Sequence, residues 1–266
     1  MNKTIRIFFS LLMLLLFQQS YASMARYALT YCKDPNYTCE RVQRGDSWLS
    51  LFPDDQQREL VQRVNRMNTQ IYPGMTIAVP KDLDKITAMD LSPFPRHMQT
   101  SNEKLIYVDP NKNAWGAYDA SGNLVNWGPA STGRDWCNDI GRACHTVTGF
   151  FHVNSKEGVD CFSTKFPVGK GGAPMPYCMF FHGGYALHGS PEVMGYNASH
   201  GCVRIFFDDA QWLNENFVDA GAHGTRVEVL PYSSGDGRFD ASDVREENTD
   251  QDTPPLNNPE QGEPVF

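Results

Sequence analysis

The sequence predicts a mainly β fold, a β-sandwich or barrel, preceded by a small α+β unit of βααβ order. Three features carry this. Across residues 102–231, short runs rich in β-branched and aromatic residues alternate with Gly, Asn and Pro turns, the pattern of many short strands folded back on one another. Across residues 31–80, two strand-like runs enclose two helical ones. The larger segment, about 130 residues, is long enough to bury a core of its own.

The elements follow in order. Lys3 and Arg6, the apolar run 8–17 and the small residues Ser20 and Ala22 form a secretory leader (residues 1–22) with cleavage expected after Ala22. The run is too short to span a bilayer, which takes about 20 apolar residues, and no later stretch of the mature chain could do so. In the module (31–80), residues 39–43 are strand-like. Arg44-Gly45-Asp46 is a turn, and Ser47 or Asp46 can cap a helix from Trp48. Pro53-Asp54-Asp55 breaks that helix and starts a second, on which Leu60, Val61 and Val64 keep helical spacing. Pro73-Gly74 turns the chain into a closing strand at 76–79. Residues 81–101 read as a linker, because Pro93 and Pro95 discourage regular structure. In the body (102–231), strands are expected at 104–108, 114–119, 124–127, 148–153, 179–181, 185–188, 203–206 and 226–230. One helix is expected at 208–216, capped by Asp208 or Asp209, with Trp212 and Leu213 facing inward. Trp127, Trp136 and Trp212 read as packing residues.

The net charge is −8, yet residues 233–266 hold nine acidic residues against two basic ones. The body is therefore close to neutral, and nothing offers the clustered basic surface that nucleic acid requires. The tail (232–266) is rich in acids and prolines and poor in apolar residues, the composition of a disordered segment.

Seven cysteines in an exported chain create a parity problem. Oxidising compartments favour disulfides, and an odd count leaves one thiol over. Cys32 with Cys39 and Cys137 with Cys144 are local candidates, which leaves Cys161 and Cys178. The connectivity stays open, since sequence does not determine it. Cys202 is the candidate free thiol because of its setting, Ala186 to Ile205, ALHGSPEVMGYNASHGCVRI. Cysteine attacks as thiolate, and an adjacent imidazole can take its proton. His188 and His200 are the candidates. In an extended segment His200 and Cys202 share a face, and His188 can approach from a neighbouring strand. Gly201 allows close approach to the backbone, so N–H groups there could face a developing oxyanion. Gly189 leaves a carbonyl open to orient the His188 ring, the office a carboxylate fills in a Ser-His-Asp triad. A zinc site built from His188, His200 and Cys202 lacks paired ligand spacing.

The constellation His188-Gly189, Gly195 and Ser199-His200-Gly201-Cys202-Val203-Arg204 resembles the catalytic motif of the L,D-transpeptidase (YkuD-like) family. The likeness extends to the opening strands from LIYVDP to STG and to Thr146-Val147-Thr148-Gly149, where Val147 replaces a frequent proline. It also covers Met175-Pro176-Tyr177, Phe180-Phe181 and Gly183-Gly184-Tyr185. It implies Cys202 as nucleophile, His188 as base, the Gly189 carbonyl as orienter, and backbone groups of His200, Gly201 and Cys202 as oxyanion hole. Ser199 and Arg204 would support the loop or contact substrate, and Tyr185 and His182 would stand at the pocket rim. The implied reaction is attack on the third residue of a peptidoglycan stem tetrapeptide, release of D-alanine, and transfer of the thioester to an amine of another stem or of an envelope lipoprotein.

The module, through Gly45-Asp46-Ser47-Trp48, Asn65 with Asn68, and Tyr72-Pro73-Gly74-Met75 before Ile77-Ala78-Val79-Pro80, resembles a LysM domain. That implies binding to peptidoglycan glycan strands, in the periplasm or cell wall. Two alternatives stand beside transfer: hydrolysis of the same thioester, as in an L,D-carboxypeptidase, and a wall-binding protein without activity. The segment DWCNDIGRACHTVTG exceeds what a minimal domain of this kind needs, and reads as a lid stapled by Cys137 and Cys144.

Overall fold

The computed structural model describes residues 26–165 and 172–233; the expected leader and the tail from residue 234 lie outside them. The module opens with a helix that the sequence reading did not anticipate, α1 (Arg26–Tyr31), followed by β1 (Tyr37–Arg41), α2 (Trp48–Leu51), α3 (Asp55–Val64) and β2 (Thr76–Pro80). Strands β1 and β2 pair antiparallel with Cys39 opposite Ala78. Ser47 caps α2 through a reciprocal box with Ser50, and Asp54 caps α3 by accepting from the Gln57 N–H. Each cap satisfies an N–H that the first helical turn leaves unpaired. The apolar face of α3 places Val61 in a small core with Trp48, Phe52, Ile71, Met75 and Ile77. Helix α1 covers the other side, with Ala28 against Val64 and Ala78, and the Cys32–Cys39 disulfide ties its end to β1.

Residues 81–101 are docked rather than a free spacer. They form a 3₁₀ turn (Ala88–Leu91), and Phe94 is buried with Leu105, Tyr118, Leu124 and Trp127. Trp127 Nε1 donates to the Ala88 carbonyl at 2.5 Å. The prolines prevent a long helix here but do not prevent packing.

The body strands are β3 (Leu105–Asp109), β4 (Ala114–Tyr118), β5 (Leu124–Ser131), β6 (Gly149–His152), β7 (Ser155–Lys156), β8 (Phe162–Ser163), β9 (Ala173–Pro174), β10 (Met179–His182), β11 (Tyr185–Gly189), β12 (Val203–Ile205) and β13 (Arg226–Val229). Among the described residues, nine of them form one mixed sheet in the order β6-β13-β3-β4-β5-β12-β11-β10-β7, while β8 and β9 make a separate hairpin. The sheet curls into a half-barrel. The Phe151 ring on β6 meets the Phe181 ring on β10, centroids 5.5 Å apart, although six strands separate them in the sheet order. The concave side is filled by Ile106, Val108, Met179, Leu187, Val203, Ile205, Leu213 and Val227, drawn from nearly every strand. Alternate residues on each strand point inward, as a pleated sheet dictates.

The helix expected at 208–216 differs at both ends. Helix α4 is Phe207–Trp212, its N-cap is Phe206 without a side-chain cap, and a π-helical turn continues it over Leu213–Phe217. Neither Asp208 nor Asp209 caps it. Asp209, 3 % exposed, turns inward to the guanidinium of Arg63 on α3, with Nη2–Oδ1 at 2.6 Å and Nη1–Oδ2 at 3.3 Å. A buried guanidinium outweighs capping there, because a buried carboxylate requires a charged partner. Trp136 also departs from its packing role, being 57 % exposed, whereas Trp127 is fully buried. The body runs on past residue 231: Tyr232 Oη accepts from the Thr146 N–H, and the Ser233 N–H donates to Asn111.

Candidate active site

Strands β11 and β12 lie side by side in parallel, with Leu187 opposite Val203 and His188 opposite Arg204. Leu187 and Val203 face the core. Alternation then sends His188, Arg204 and Cys202 to the other face, where Cys202 and His188 are diagonal neighbours. Residues 14 positions apart in sequence thus come to one face of the sheet because two short strands run parallel.

The disulfides are Cys32–Cys39, Cys137–Cys144 and Cys161–Cys178, and Cys202 is free and partly exposed. His188 is buried at 6 % exposure. Its Nδ1 lies 2.9 Å from the Gly189 carbonyl. A carbonyl only accepts, so Nδ1 carries the proton and Nε2 keeps the basic lone pair. Burial pulls the ring's pKa down to about 4, against the Gly189 hydrogen bond and assisted by the Arg204 charge. Burial likewise pushes the Cys202 thiol up, opposed by a backbone hydrogen bond from Ala186 and by Arg204. The thiol donates to the Gly184 carbonyl at 3.7 Å. Both shifts favour the neutral forms, thiol and imidazole. Desolvation disfavours the charged form of each group.

The nucleophile loop is braced from within. Ser199 Oγ accepts from the Gly201 N–H at 3.0 Å and donates to the Cys202 carbonyl. The Gly201 N–H is thus already engaged, which leaves the N–H groups of His200 and Cys202 as the oxyanion donors to consider. Gly201 has φ of +129°, and a Cβ there would stand 2.8 Å from the Tyr185 ring. Its glycine identity answers to both the backbone region and the space. Tyr185 therefore packs on the loop itself, whereas His182 is exposed and 6.2 Å from Tyr185, ring to ring. Arg204 pairs with Glu192 at 3.0 Å.

Other supports were not singled out from sequence. Thr146 Oγ1 donates to the Gly201 carbonyl at 2.7 Å and accepts from the Gly133 N–H. The Tyr232 hydroxyl donates to Thr132 Oγ1, which donates to Asn197. His200 Nε2 lies 3.0 and 2.9 Å from the two oxygens of Asp139, inside the loop closed by Cys137 and Cys144. That hydrogen bond holds the Asp139 carboxyl below its usual range. His200 thus faces the stapled loop. The second disulfide, Cys161–Cys178, packs with Met175 and Ala186 against Cys202, so the nucleophile is flanked by a disulfide-tied segment on each side. Of these, only Thr146 had a signal, the Thr-Gly element.

Among the described residues, two side-chain groups come close enough to suggest a metal site, Cys137-Asp139-His200 and Glu157-Cys161-Cys178. Both count disulfide sulfurs, and the thiolate, not the disulfide, is the metal ligand.

A family model described as the L,D-transpeptidase catalytic domain (YkuD) matches residues 103–229. "Putative L,D-transpeptidase YciB" of Bacillus subtilis (strain 168) is 29% identical over 130 residues, which cover 44% of this chain and 63% of that protein. The match therefore spans less than two thirds of that relative's length. Among solved structures, an L,D-transpeptidase (residues 123-326) from Xylanimonas cellulosilytica DSM 15894 aligns at 24% identity over 72% of this chain and 98% of that one, TM-score 0.48. One from Stackebrandtia nassauensis aligns at 23% over 53% and 62%, TM-score 0.42. Residues 103–229 of this chain, which hold His188 and Cys202, are thus the part that is similar to the L,D-transpeptidase (YkuD) catalytic domain.

Proposed function

We propose that this chain is an exported L,D-transpeptidase that acts on peptidoglycan stem tetrapeptides through a Cys202 thioester. One observation carries the reading: six cysteines are paired, and the seventh, on the strand next to a buried imidazole oriented by the Gly189 carbonyl, is not. As substrate enters, His188 Nε2 takes the thiol proton and sulfur attacks the carbonyl of the third stem residue. The tetrahedral oxyanion is met by backbone N–H groups of the 200–202 loop. Collapse breaks the peptide bond, and D-alanine leaves with the proton from His188. An acceptor amine then attacks the thioester and returns the thiol. The chemistry needs no metal or cofactor. Three disulfides fit an oxidising compartment, and no helix among the described residues is long and apolar enough to cross a membrane.

The test is mass spectrometry of the mature protein mixed with tetrapeptide muropeptides, with Cys202→Ala as control. A mass adduct on Cys202 and cross-linked dimers, or exchange of the terminal D-amino acid, support the reading. Tripeptide monomers alone would replace transfer by hydrolysis. Absence of any adduct would end the thioester mechanism.

A further inference from the structure

The loop after α3 carries Asn65 and Asn68, two residues through which the module resembles a glycan binder. Both side chains have other partners. Asn65 is 4 % exposed. It donates to the Val61 and Ala78 carbonyls and accepts from the Ala78 N–H, which ties the loop to its own helix and closing strand. Asn68 turns outward to the catalytic body. Its Nδ2 donates to the Ser190 carbonyl at 2.9 Å, its Oδ1 accepts from the Val193 N–H at 3.0 Å, and its backbone N–H donates to the Val193 carbonyl at 3.1 Å. Met67 adds an antiparallel bridge to Met194. At Gly195, with φ of +75°, a Cβ would stand 3.2 Å from the Asn65 carbonyl. The two backbones are in close contact.

The segment so gripped, residues 190–195, follows the base directly. Gly189 supplies the carbonyl that orients His188, and Ser190 is its neighbour. The Ser190 N–H donates to Ile205 on β12, and Glu192 pairs with Arg204 on the same strand. Asn68 therefore holds a short covalent and hydrogen-bonded link that touches the base at one end and the nucleophile strand at the other. The holding side is stiff. Arg66 sits at φ of +56°, a conformation that a non-glycine residue keeps only when its surroundings over-determine it. It is 1 % exposed, donates to the Arg63 carbonyl at 2.5 Å, and lies 4.8 Å over the Trp127 ring.

We infer that Asn68 is a positioning residue for catalysis: through it the N-terminal module sets the geometry of the His188–Cys202 pair, so the module is part of the active-site framework. This rests on the thiol chemistry proposed above, with Asn68 acting through Ser190 and Gly189 rather than on substrate.

The test uses the mature chain with its disulfides intact, and Asn68→Ala and Asn68→Asp. The aspartate keeps the acceptor for Val193 and loses the donor to Ser190, so it serves if the alanine variant does not fold. Four quantities are read at 25 °C: carbapenem acylation of Cys202 by intact mass, the pH profile of Cys202 alkylation by iodoacetamide, thermal midpoint, and co-sedimentation with peptidoglycan sacculi. Displacement of a reacting group by about 1 Å slows a reaction by about 100-fold. Asn68→Ala is expected to slow acylation by about 10- to 100-fold and to shift the alkylation profile. Asn68→Asp should lie between it and the wild type, and sedimentation should be unchanged. A folded Asn68→Ala, or Asn68→Asp if the alanine variant is unfolded, whose acylation rate and alkylation profile match the wild type overturns the inference, even if its midpoint falls. So does a variant that loses sedimentation while its acylation is unchanged, since Asn68 would then be a glycan contact. If the wild type itself is not acylated, the functional reading fails, and the alkylation profile still decides the role of Asn68.

Discussion

Replacing Arg63 by methionine would remove the charge that accompanies Asp209 into the interior. Arg63 is 5 % exposed and Asp209 3 %, and the pair joins α3 to α4 across 146 residues of sequence. Burial works against the Arg63 charge, yet Asp209 and Glu59 outweigh it and hold its pKa above the usual value. Burial pushes the Asp209 carboxyl upward, against the pull of Arg63. Without the guanidinium, Asp209 escapes a bare buried charge only by taking a proton, and that route caps the electrostatic penalty. With an unfolded pKa near 3.8, protonation at pH 7 costs about 4 kcal/mol, and at pH 5 about 1.5 kcal/mol. The sign follows from proton counts: the folded variant holds a proton that the unfolded chain has released, so stability falls as pH rises above 3.8. The Trp127 carbonyl, which accepts from Arg63 Nη1, adds a pH-independent loss of about 1–3 kcal/mol. Urea unfolding followed by tryptophan fluorescence at pH 7 and pH 5 reads both parts. Arg63→Met with Asp209→Leu should recover most of the loss, because a buried pair replaced by apolar residues is often neutral. A single variant with the same deficit at both pH values, or a deficit below about 1 kcal/mol at pH 7, refutes the reasoning.

Three further outcomes follow from the site. His188→Gln should slow Cys202 acylation by about 10²–10⁴-fold, and the wild-type rate should decline on the acid side with a midpoint near 4 instead of the 6.5 of free histidine. Because the folded ring protonates below the unfolded one, its contribution of about 3 kcal/mol is full above pH 6.5 and is lost as pH falls toward 4; urea titrations of wild type and His188→Gln should converge across that window, and parallel curves would contradict a buried neutral ring. Gly201→Ala should abolish acylation, and adding Tyr185→Ala, which frees the space but not the φ of +129°, should not restore it. Cys137→Ala with Cys144→Ala should destabilise by about 2–3 kcal/mol, as loop closure predicts, and slow acylation; Asp139→Asn, with the disulfide intact, separates loss of the His200 contact from loss of the staple.

The parts legible in the sequence were those with a local signature. Periodicity and turn residues located β3, β4 and β11 within a residue or two, and Ser47 declared its cap. The cysteine count together with the SHGC setting singled out Cys202. Misreadings arose where a distant partner overrode a local preference. Asp209 had the right position to cap α4, but Arg63 took it. Residues 81–101 carried proline signals of a spacer, yet Phe94 found a pocket in the body. Trp136 had the composition of a core residue and stands in solvent beside a disulfide.

By itself the sequence determined most of the longer strands, the two helices of the module, the leftover thiol and the chemistry available to it, since each depends on contiguous residues and their side-chain character. Tertiary structure alone decided that Asp139 reaches His200 from 61 residues away, that Asn68 grips the loop behind His188, and that burial shifts both His188 and Cys202 toward their neutral forms. Contacts of that kind arise when the curled sheet and the docked module bring remote segments together and exclude water from between them. Neither the proximity nor the lost hydration is written in any short stretch of chain.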